Sequence, residues 1–183
     1  YLARDPEGRL PDVVAQAIQR ALSEHEGDVL AFLPGAWEIR RTQSNIEAAL
    51  RNSNIDIYPL YGDLPWEQQE RAIRPGGAAG RRKVVLATPI AETSLTIDGV
   101  RVVVDSGLAR VPRFSPRSGM TRLETTRVSQ ASADQRRGRA GRIAPGVCVR
   151  LWSEGDQASL PARAVPEMLE ADLAPLALEL ACA

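Results

Sequence analysis

The stretch Asp28-Val29-Leu30-Ala31-Phe32-Leu33 is a short apolar run that ends at Pro34-Gly35. A strand that is buried on both faces is continuously apolar, whereas a strand with one solvent-exposed face alternates polar and apolar residues. The Pro-Gly pair that follows the run is typical of a turn. The stretch therefore predicts a buried strand of the kind found in parallel sheets.

Further strands and helices alternate around this run. Four other segments have the apolar, β-branched character of strands: residues 55–60, 84–87, 100–105 and 147–152. Helical spacing of apolar residues occurs before the first strand and in the next two intervals between strands: residues 12–24, 37–51 and 65–73. Alternation of strand and helix predicts an α/β fold with an open parallel sheet.

Two regions depart from this alternation. Residues 108–129 have no helical period and contain a Gly-bearing turn between two strand-like segments, which predicts an inserted β-hairpin. After Trp152 the chain is punctuated by prolines, and residues 166–181 have the spacing of one more amphipathic helix. We therefore expect one domain over residues 1–155, and in residues 156–183 a linker with the first helix of a following domain.

The composition, with 44% hydrophobic and 25% charged residues, is that of an ordinary globular domain. No apolar run approaches the ~20 residues that a membrane span requires. The two cysteines, Cys148 and Cys182, form neither a disulfide framework nor a CxxC metal motif. These observations favour a reducing, cytoplasmic compartment and no contact with a membrane.

Arginine is concentrated in one part of a chain whose net charge is zero. Residues 101–150 contain eleven arginines against three acidic residues, which gives this part a charge of +8. A genome that favours arginine would explain why Lys83 is the only lysine, but it would not explain the clustering. The clustering predicts a basic face for a polyanion such as nucleic acid.

The octapeptide QRRGRAGR at residues 135–142 is the densest part of this basic region. Ser132 is a suitable N-cap for a helix through about Arg142. Gln135, Arg139 and Arg142 would then lie within about 60° of one another on one helix face. Glycine costs ~1 kcal/mol in a helix relative to alanine, so the two glycines in between suggest close approach to a polyanion. The alternative is a solvated basic helix.

The same octapeptide resembles motif VI of superfamily 2 helicases. Residues 87–97, ATPIAETSLTI, resemble motif V of the DEAH-box branch, residues 32–39, FLPGAWEI, resemble motif IV, and residues 61–65, YGDLP, resemble the short motif that follows it. Order and spacing match over about residues 1–180. FLPG and residues 106–113 are similar to the bacterial HrpB-type helicases. The resemblance implies a RecA-like (P-loop NTPase-type) fold, as the second such domain of an ATP-dependent RNA helicase.

The resemblance assigns roles at the nucleotide. By the family pattern, Arg139 and Arg142 are arginine fingers directed at the γ-phosphate of ATP, and Gln135 helps to order the attacking water or the phosphate. Positive charge near the equatorial oxygens stabilises phosphoryl transfer. Thr96 and Asp98 match positions on the ribose side.

The resemblance also implies an RNA track, in which small side chains and backbone N–H groups meet phosphates: Gly35, Gly62, Thr88 and Ser94. For Ser94, helix capping is an alternative. The hairpin matches a DEAH feature that projects toward the RNA path and helps to part strands, with Arg113, Arg117 and Arg122 facing the polyanion. Alternatively, the hairpin packs on a neighbouring domain.

Two residues depart from the family pattern. Pro89 replaces the usual asparagine of motif V, which removes a backbone donor and a side-chain amide and argues against an RNA contact there. Ile73 stands where many DEAH members place a phenylalanine against the adenine. An aliphatic side chain covers a base but stacks on it less well, so adenine selectivity is expected to be weak.

Two motifs of ATP hydrolysis are missing from the sequence, namely GxxxxGK[ST] and DExH. We expect a preceding first RecA-like domain of the same polypeptide to hold ATP and most of the Mg²⁺ coordination. The chain alone would then bind nucleotide weakly and hydrolyse it negligibly. Its expected partners are RNA, that first domain and downstream C-terminal domains.

Two other functions remain open from the residues alone. One is a DNA-directed superfamily 2 translocase, which the motif V string disfavours. The other is a RecA-like domain kept only for docking RNA or protein, a role that does not require the combination of Gln135, Arg139 and Arg142.

Overall fold

Five parallel strands form the central sheet of the computed structural model: β1 (Asp28–Phe32), β2 (Ile55–Leu60), β3 (Arg82–Ala87), β4 (Val100–Asp105) and β7 (Val147–Arg150). Their spatial order is β2-β3-β1-β4-β7. The structure describes residues 1–2, 7–51, 53–76, 81–93, 97–115, 117–141, 145–166 and 178–181. The predicted open parallel sheet is confirmed.

Strand β1 lies at the centre of the sheet and all five of its residues are buried. It pairs in parallel with β3, where Leu30 is opposite Val85, and with β4, where Leu30 is opposite Val103. Both of its edges and both of its faces are thus covered by apolar neighbours. This environment accounts for the uninterrupted apolar run that predicted the strand.

Helices cover both faces of the sheet. On one face, α1 (Leu10–Glu24) and α2 (Ala36–Ala49) pack their buried side chains against alternate residues of β1, β3 and β4. On the other face lie α3 (Trp66–Ile73), the short α4 (Ile90–Thr93) and α5 (Gln130–Arg137). A last short helix, α6 (Glu154–Ser159), follows β7.

The predicted hairpin is present as a separate two-stranded antiparallel sheet of β5 (Leu108–Ser115) and β6 (Met120–Arg127). Its tip is closed by the backbone N–H groups of Ser118 and Gly119, which both donate to the carbonyl of Ser115. Gly119 has φ +63°, a conformation that favours glycine. Most of β6 is exposed.

The topology places the candidate residues at two opposite edges of the sheet. Gly35, Gly62 and Thr88 lie just after the carboxyl ends of β1, β2 and β3, so they share what we call the carboxyl edge. Ile73 ends α3 and Asp98 lies just before β4, so both belong to the opposite, amino edge. A helix that connects two parallel strands runs back between these edges.

Several predicted boundaries need correction. Helix α5 begins at Gln130, with Ser129 rather than Ser132 as the N-cap, and it ends at Arg137 instead of continuing to residue 142. Pro65 is the N-cap of α3 and lies outside the helix. The last strand ends at Arg150, because Leu151 and Trp152 already turn toward α6.

The segment after α6 bears on the predicted domain boundary. Residues 167–177, which contain most of the helix predicted over 166–181, lie outside the described residues. The division at residue 155 therefore stays a prediction. In the part of the chain that the structure describes, no helix has the length and apolar character needed to cross a membrane.

The central position of β1 gives a stability prediction. Leu30 is fully buried, so Leu30→Ala should lower the free energy of unfolding by ~2–5 kcal/mol, because the cavity relaxes only partly. Leu123→Ala on the hairpin, where the side chain is 67% exposed, is the matched control and should change it by less than ~0.5 kcal/mol. Chemical denaturation of the chain measures both. Equal losses would contradict the assigned core.

Candidate functional site

Arg136, from the basic octapeptide, is fully buried. Its Nε donates to Oε1 of Glu92 at 2.7 Å, and its Nη1 donates to Oδ1 of Asp105 at 2.8 Å. Nη1 also donates to the carbonyl of Leu108, at 3.2 Å. The guanidinium lies over the ring of Phe32, 4.9 Å from its centroid.

These contacts join five parts of the chain at one charged group. Burial by itself lowers the pKa of a guanidinium, but the carboxylates of Asp105 and Glu92 offset that effect and raise the pKa of Arg136. The side chain therefore stays charged and binds α5 to α4, to the ends of β1 and β4, and to the start of the hairpin. We call Arg136, Glu92 and Asp105 the buried ion cluster.

The buried ion cluster is not predicted by the sequence analysis, which relates the arginines of the octapeptide to a polyanion and gives Arg136 no role of its own. Two signals point to it. Asp105 ends a strand that is apolar apart from the exposed Arg101, and a buried carboxylate there requires a partner. Arg136 also follows Ala133 by three residues, which places it on the buried face of α5.

A second arginine holds α5 from the side of β7. Arg150 donates from Nη2 to Oδ1 of Asp134 at 2.8 Å, and its guanidinium lies close to the rings of both Tyr1 and Trp152. Helix α5 is thus fixed by two arginine contacts, one from its own sequence and one from the neighbouring strand.

Residues 135–141 of the octapeptide are the end of α5 followed by a turn over residues 138–141, which we call the octapeptide turn, and this corrects the predicted single helix face. Gly138 is the C-cap of α5, and the N–H of Arg139 donates to the carbonyl of Arg136 at 3.0 Å. Gly141 has φ +83°, so backbone conformation alone favours glycine there. Arg139 is only 9% exposed, whereas Gln135 is exposed. These two residues therefore do not form one solvated helical stripe.

Gln135 lines a cleft of about 580 Å³ that the hairpin, α5 and residues 161–165 enclose. Pro89 and Arg113 line the same cleft, whereas Ile73 and Asp98 do not. The structure therefore brings Gln135 together with Arg113 of the predicted RNA set. Its assignment to the attacking water stays a prediction.

The amino edge carries the other described nucleotide candidates. Ile73 is half-buried at the end of α3, and Asp98 is exposed just before β4. Arg142 and Thr96 lie outside the described residues, as does Ser94 of the RNA set. The roles predicted for these three residues stay predictions.

The carboxyl edge carries Gly35, Gly62 and Thr88. A Cβ added at Gly35 would lie 2.5 Å from Nη1 of Arg110, so a larger residue at position 35 would displace this guanidinium. Arg110 also donates to Oε1 of Glu38 at 2.9 Å. A Cβ at Gly62 would meet no atom within 4 Å among the described residues, so there is open space beside this residue, while its carbonyl accepts Nε2 of Gln69 at 3.3 Å.

The hairpin places like charges opposite one another. Arg113 of β5 is the direct cross-strand partner of Arg122 of β6, and both are exposed. Like charges in this position destabilise a strand pair. Glu124 offsets part of the repulsion, with Oε2 lying 3.5 Å from Nε of Arg113. Arg117 is exposed near the tip, so this element suits contact with a polyanion.

The chain is similar to proteins of known kind. Residues 11–144 match the family described as Helicase conserved C-terminal domain. The chain is 47% identical to ATP-dependent RNA helicase HrpB of Escherichia coli K12, over 98% of this chain and 22% of that protein. It is 40% identical to ATP-dependent RNA helicase HrpA of the same organism, over 97% of this chain and 13% of that protein.

The structural comparison agrees. A crystal structure of Escherichia coli DEAH/RHA helicase HrpB matches with a TM-score of 0.90 at 47% identity, covering 97% of this chain and 22% of that chain. The HrpB-type resemblance and the RecA-like fold are thereby confirmed. The chain spans about a fifth of the length of HrpB.

The buried ion cluster can be tested by neighbouring substitutions. Arg136→Met leaves the carboxylates of Asp105 and Glu92 without their cation, so the free energy of unfolding should fall by ~3–5 kcal/mol. Arg137→Met is the matched control, because its side chain is 62% exposed; the expected change is below ~0.5 kcal/mol. Urea denaturation compares the two, and a loss at Arg136 no larger than at Arg137 would refute the cluster's role.

Proposed function

This chain belongs to the helicase conserved C-terminal domain family, and from that premise we propose that it is the second RecA-like domain of a DEAH-box ATP-dependent RNA helicase. The observation that carries the proposal is the octapeptide turn, which the buried Arg136 fixes against four other parts of the fold. A turn held in this way would hold Arg139 and Arg142 in a defined direction toward a nucleotide. Pure docking would not require such rigidity.

The amino edge and the octapeptide turn would meet ATP. Arg139 and Arg142 would supply positive charge to the transferring phosphoryl group, and Thr96 and Asp98 would bind the ribose. Ile73 would cover the base. The exposed carboxylate of Asp98 and the half-buried apolar side chain of Ile73 at one edge suit a nucleoside, which has one polar and one apolar part.

ATP and Mg²⁺ would be held mainly by a first RecA-like domain of the same polypeptide, since this sequence lacks the P-loop and DExH motifs. The chain's own contribution would be cationic and would act across the domain boundary. Stabilising charge that is already oriented lowers the barrier without reorganisation during the reaction. Downstream C-terminal domains would complete the polypeptide.

The carboxyl edge and the hairpin would meet the RNA. Gly35, Gly62, Thr88 and Ser94 would contact phosphates, while Arg113 and Arg117 would attract the strand. The relatives HrpB and HrpA are named RNA helicases, which favours RNA over DNA. Closure of the two domains on ATP and their reopening after hydrolysis would move these contacts along one strand and displace its complement.

The finger assignment has a kinetic test in the full-length protein. Arg142→Ala should lower RNA-stimulated ATP turnover by ~10³–10⁵-fold, the usual contribution of a finger arginine, and should leave the thermal unfolding temperature unchanged. Arg137→Ala is the control from the same octapeptide and should retain turnover within a fewfold. Near-normal turnover by Arg142→Ala would exclude the finger role.

The hairpin assignment has a test in salt. Replacing Arg113, Arg117 and Arg122 by Ala in the full-length protein should reduce the slope of log affinity for single-stranded RNA against log salt concentration by up to ~2, since each phosphate contact contributes ~0.7. Fluorescence anisotropy over a salt series measures this slope. An unchanged slope would favour a hairpin that packs on a neighbouring domain.

A further inference from the structure

Lys83, the only lysine of the chain, is fully buried at the start of β3. Its Nζ donates to the carbonyl of Arg74 at 2.7 Å and to the carbonyl of Ala72 at 3.2 Å. Both carbonyls belong to the last turn and C-cap of α3, where backbone acceptors lack partners within the helix. The ammonium therefore caps this helix at its negative end.

The two carbonyls lie on either side of Ile73 in the sequence. Holding Ala72 and Arg74 to one ammonium fixes the backbone of Ile73 and with it the direction of the side chain. No role was assigned to Lys83 from its sequence, because a lysine before an apolar strand resembles an ordinary exposed residue.

The carboxylate of Asp28, on the neighbouring strand β1, lies close to Lys83. Asp28 Oδ1 accepts the backbone N–H of Lys83 at 2.8 Å, and Asp28 itself donates its backbone N–H to the carbonyl of Gly99. Burial lowers the pKa of Lys83, while the charges of Asp28 and Asp98 oppose that shift. The ammonium thus lies within a connected set of groups at the amino edge.

The preceding residue, Arg82, provides an internal comparison. It points to the other face of the sheet, as neighbouring residues of a strand do. Its guanidinium donates to the carbonyls of Leu22, His25 and Gly27, at the end of α1 and just beyond it. Two consecutive basic residues therefore cap two helices on opposite faces, and only the Lys83 cap adjoins Ile73.

We propose that Lys83 is a positioning residue for the nucleotide base, acting through the end of α3 to hold Ile73 where the base binds. This inference rests on the proposed function, since it takes Ile73 as the residue that covers the base. Lys83 would touch neither nucleotide nor RNA. Its removal should therefore weaken nucleotide binding without slowing the chemical step.

The test compares Lys83→Met with Arg82→Met in the full-length protein, using RNA-stimulated hydrolysis of ATP and of ribose 5′-triphosphate, which lacks a base. Lys83→Met should raise KM for ATP by roughly three- to tenfold with kcat within about twofold, the signature of lost uniform binding. KM for ribose 5′-triphosphate should not change. Arg82→Met, which loses a comparable helix cap, should leave both KM values unchanged.

Each other outcome decides against the inference. An unchanged KM for ATP, an equal rise for both nucleotides, or the same rise in Arg82→Met would overturn it. If Lys83→Met does not fold, Lys83→Arg replaces it, because this variant keeps the charge but moves the hydrogen-bond donors. Lys83→Arg should then raise KM for ATP alone, by less than Lys83→Met. No rise in KM for ATP would overturn the inference. Arg142→Ala, measured alongside, separates the positioning role from the proposed function. Near-normal turnover by Arg142→Ala would refute the proposed function. Turnover that is lost in Arg142→Ala, together with an unchanged KM for ATP in the Lys83 variant, would refute only the positioning role.

Discussion

The guanidinium of Arg136 has no exposed surface, and the elements around it are arranged to meet its charge. Two carboxylates, a backbone carbonyl and an aromatic face surround it, and each comes from a different part of the chain. A buried ion pair contributes little net stability compared with apolar packing, but losing one partner is costly. The cluster therefore specifies how α5 sits on the sheet, and the octapeptide turn follows from that placement.

A parallel sheet with helical connections has two chemically different edges, and the chain uses both. Strand ends at the carboxyl edge present glycines and a threonine, whereas the amino edge collects the end of α3, the residues before β4 and the octapeptide turn. Helix α5 runs between these edges and is fixed by Arg136 near Glu92 of α4.

The sequence predicted the sheet well because burial on both faces imposes a recognisable pattern. The apolar run of β1 and the β-branched run of β4 both indicate buried strands. The hairpin was also predictable, from lost helical period and a glycine turn. The octapeptide was harder, because periodicity shows which residues share a face but not where a helix stops. The predicted helix includes Gly138 and Gly141, and their roles as C-cap and left-handed turn appear only in the backbone of the structure. The burial of charged residues such as Arg136 and Lys83 could not be predicted either, because their partners come from other parts of the sequence.

The central claim is that the arginines of the octapeptide turn act on a nucleotide which another domain holds. The most direct test compares Mg²⁺-dependent ATP hydrolysis by the purified 183-residue chain with that by the full-length protein, both in the presence of saturating single-stranded RNA. The account predicts turnover by the full-length protein and none above background by the chain. Robust turnover by the chain that persists through successive purification steps would contradict it.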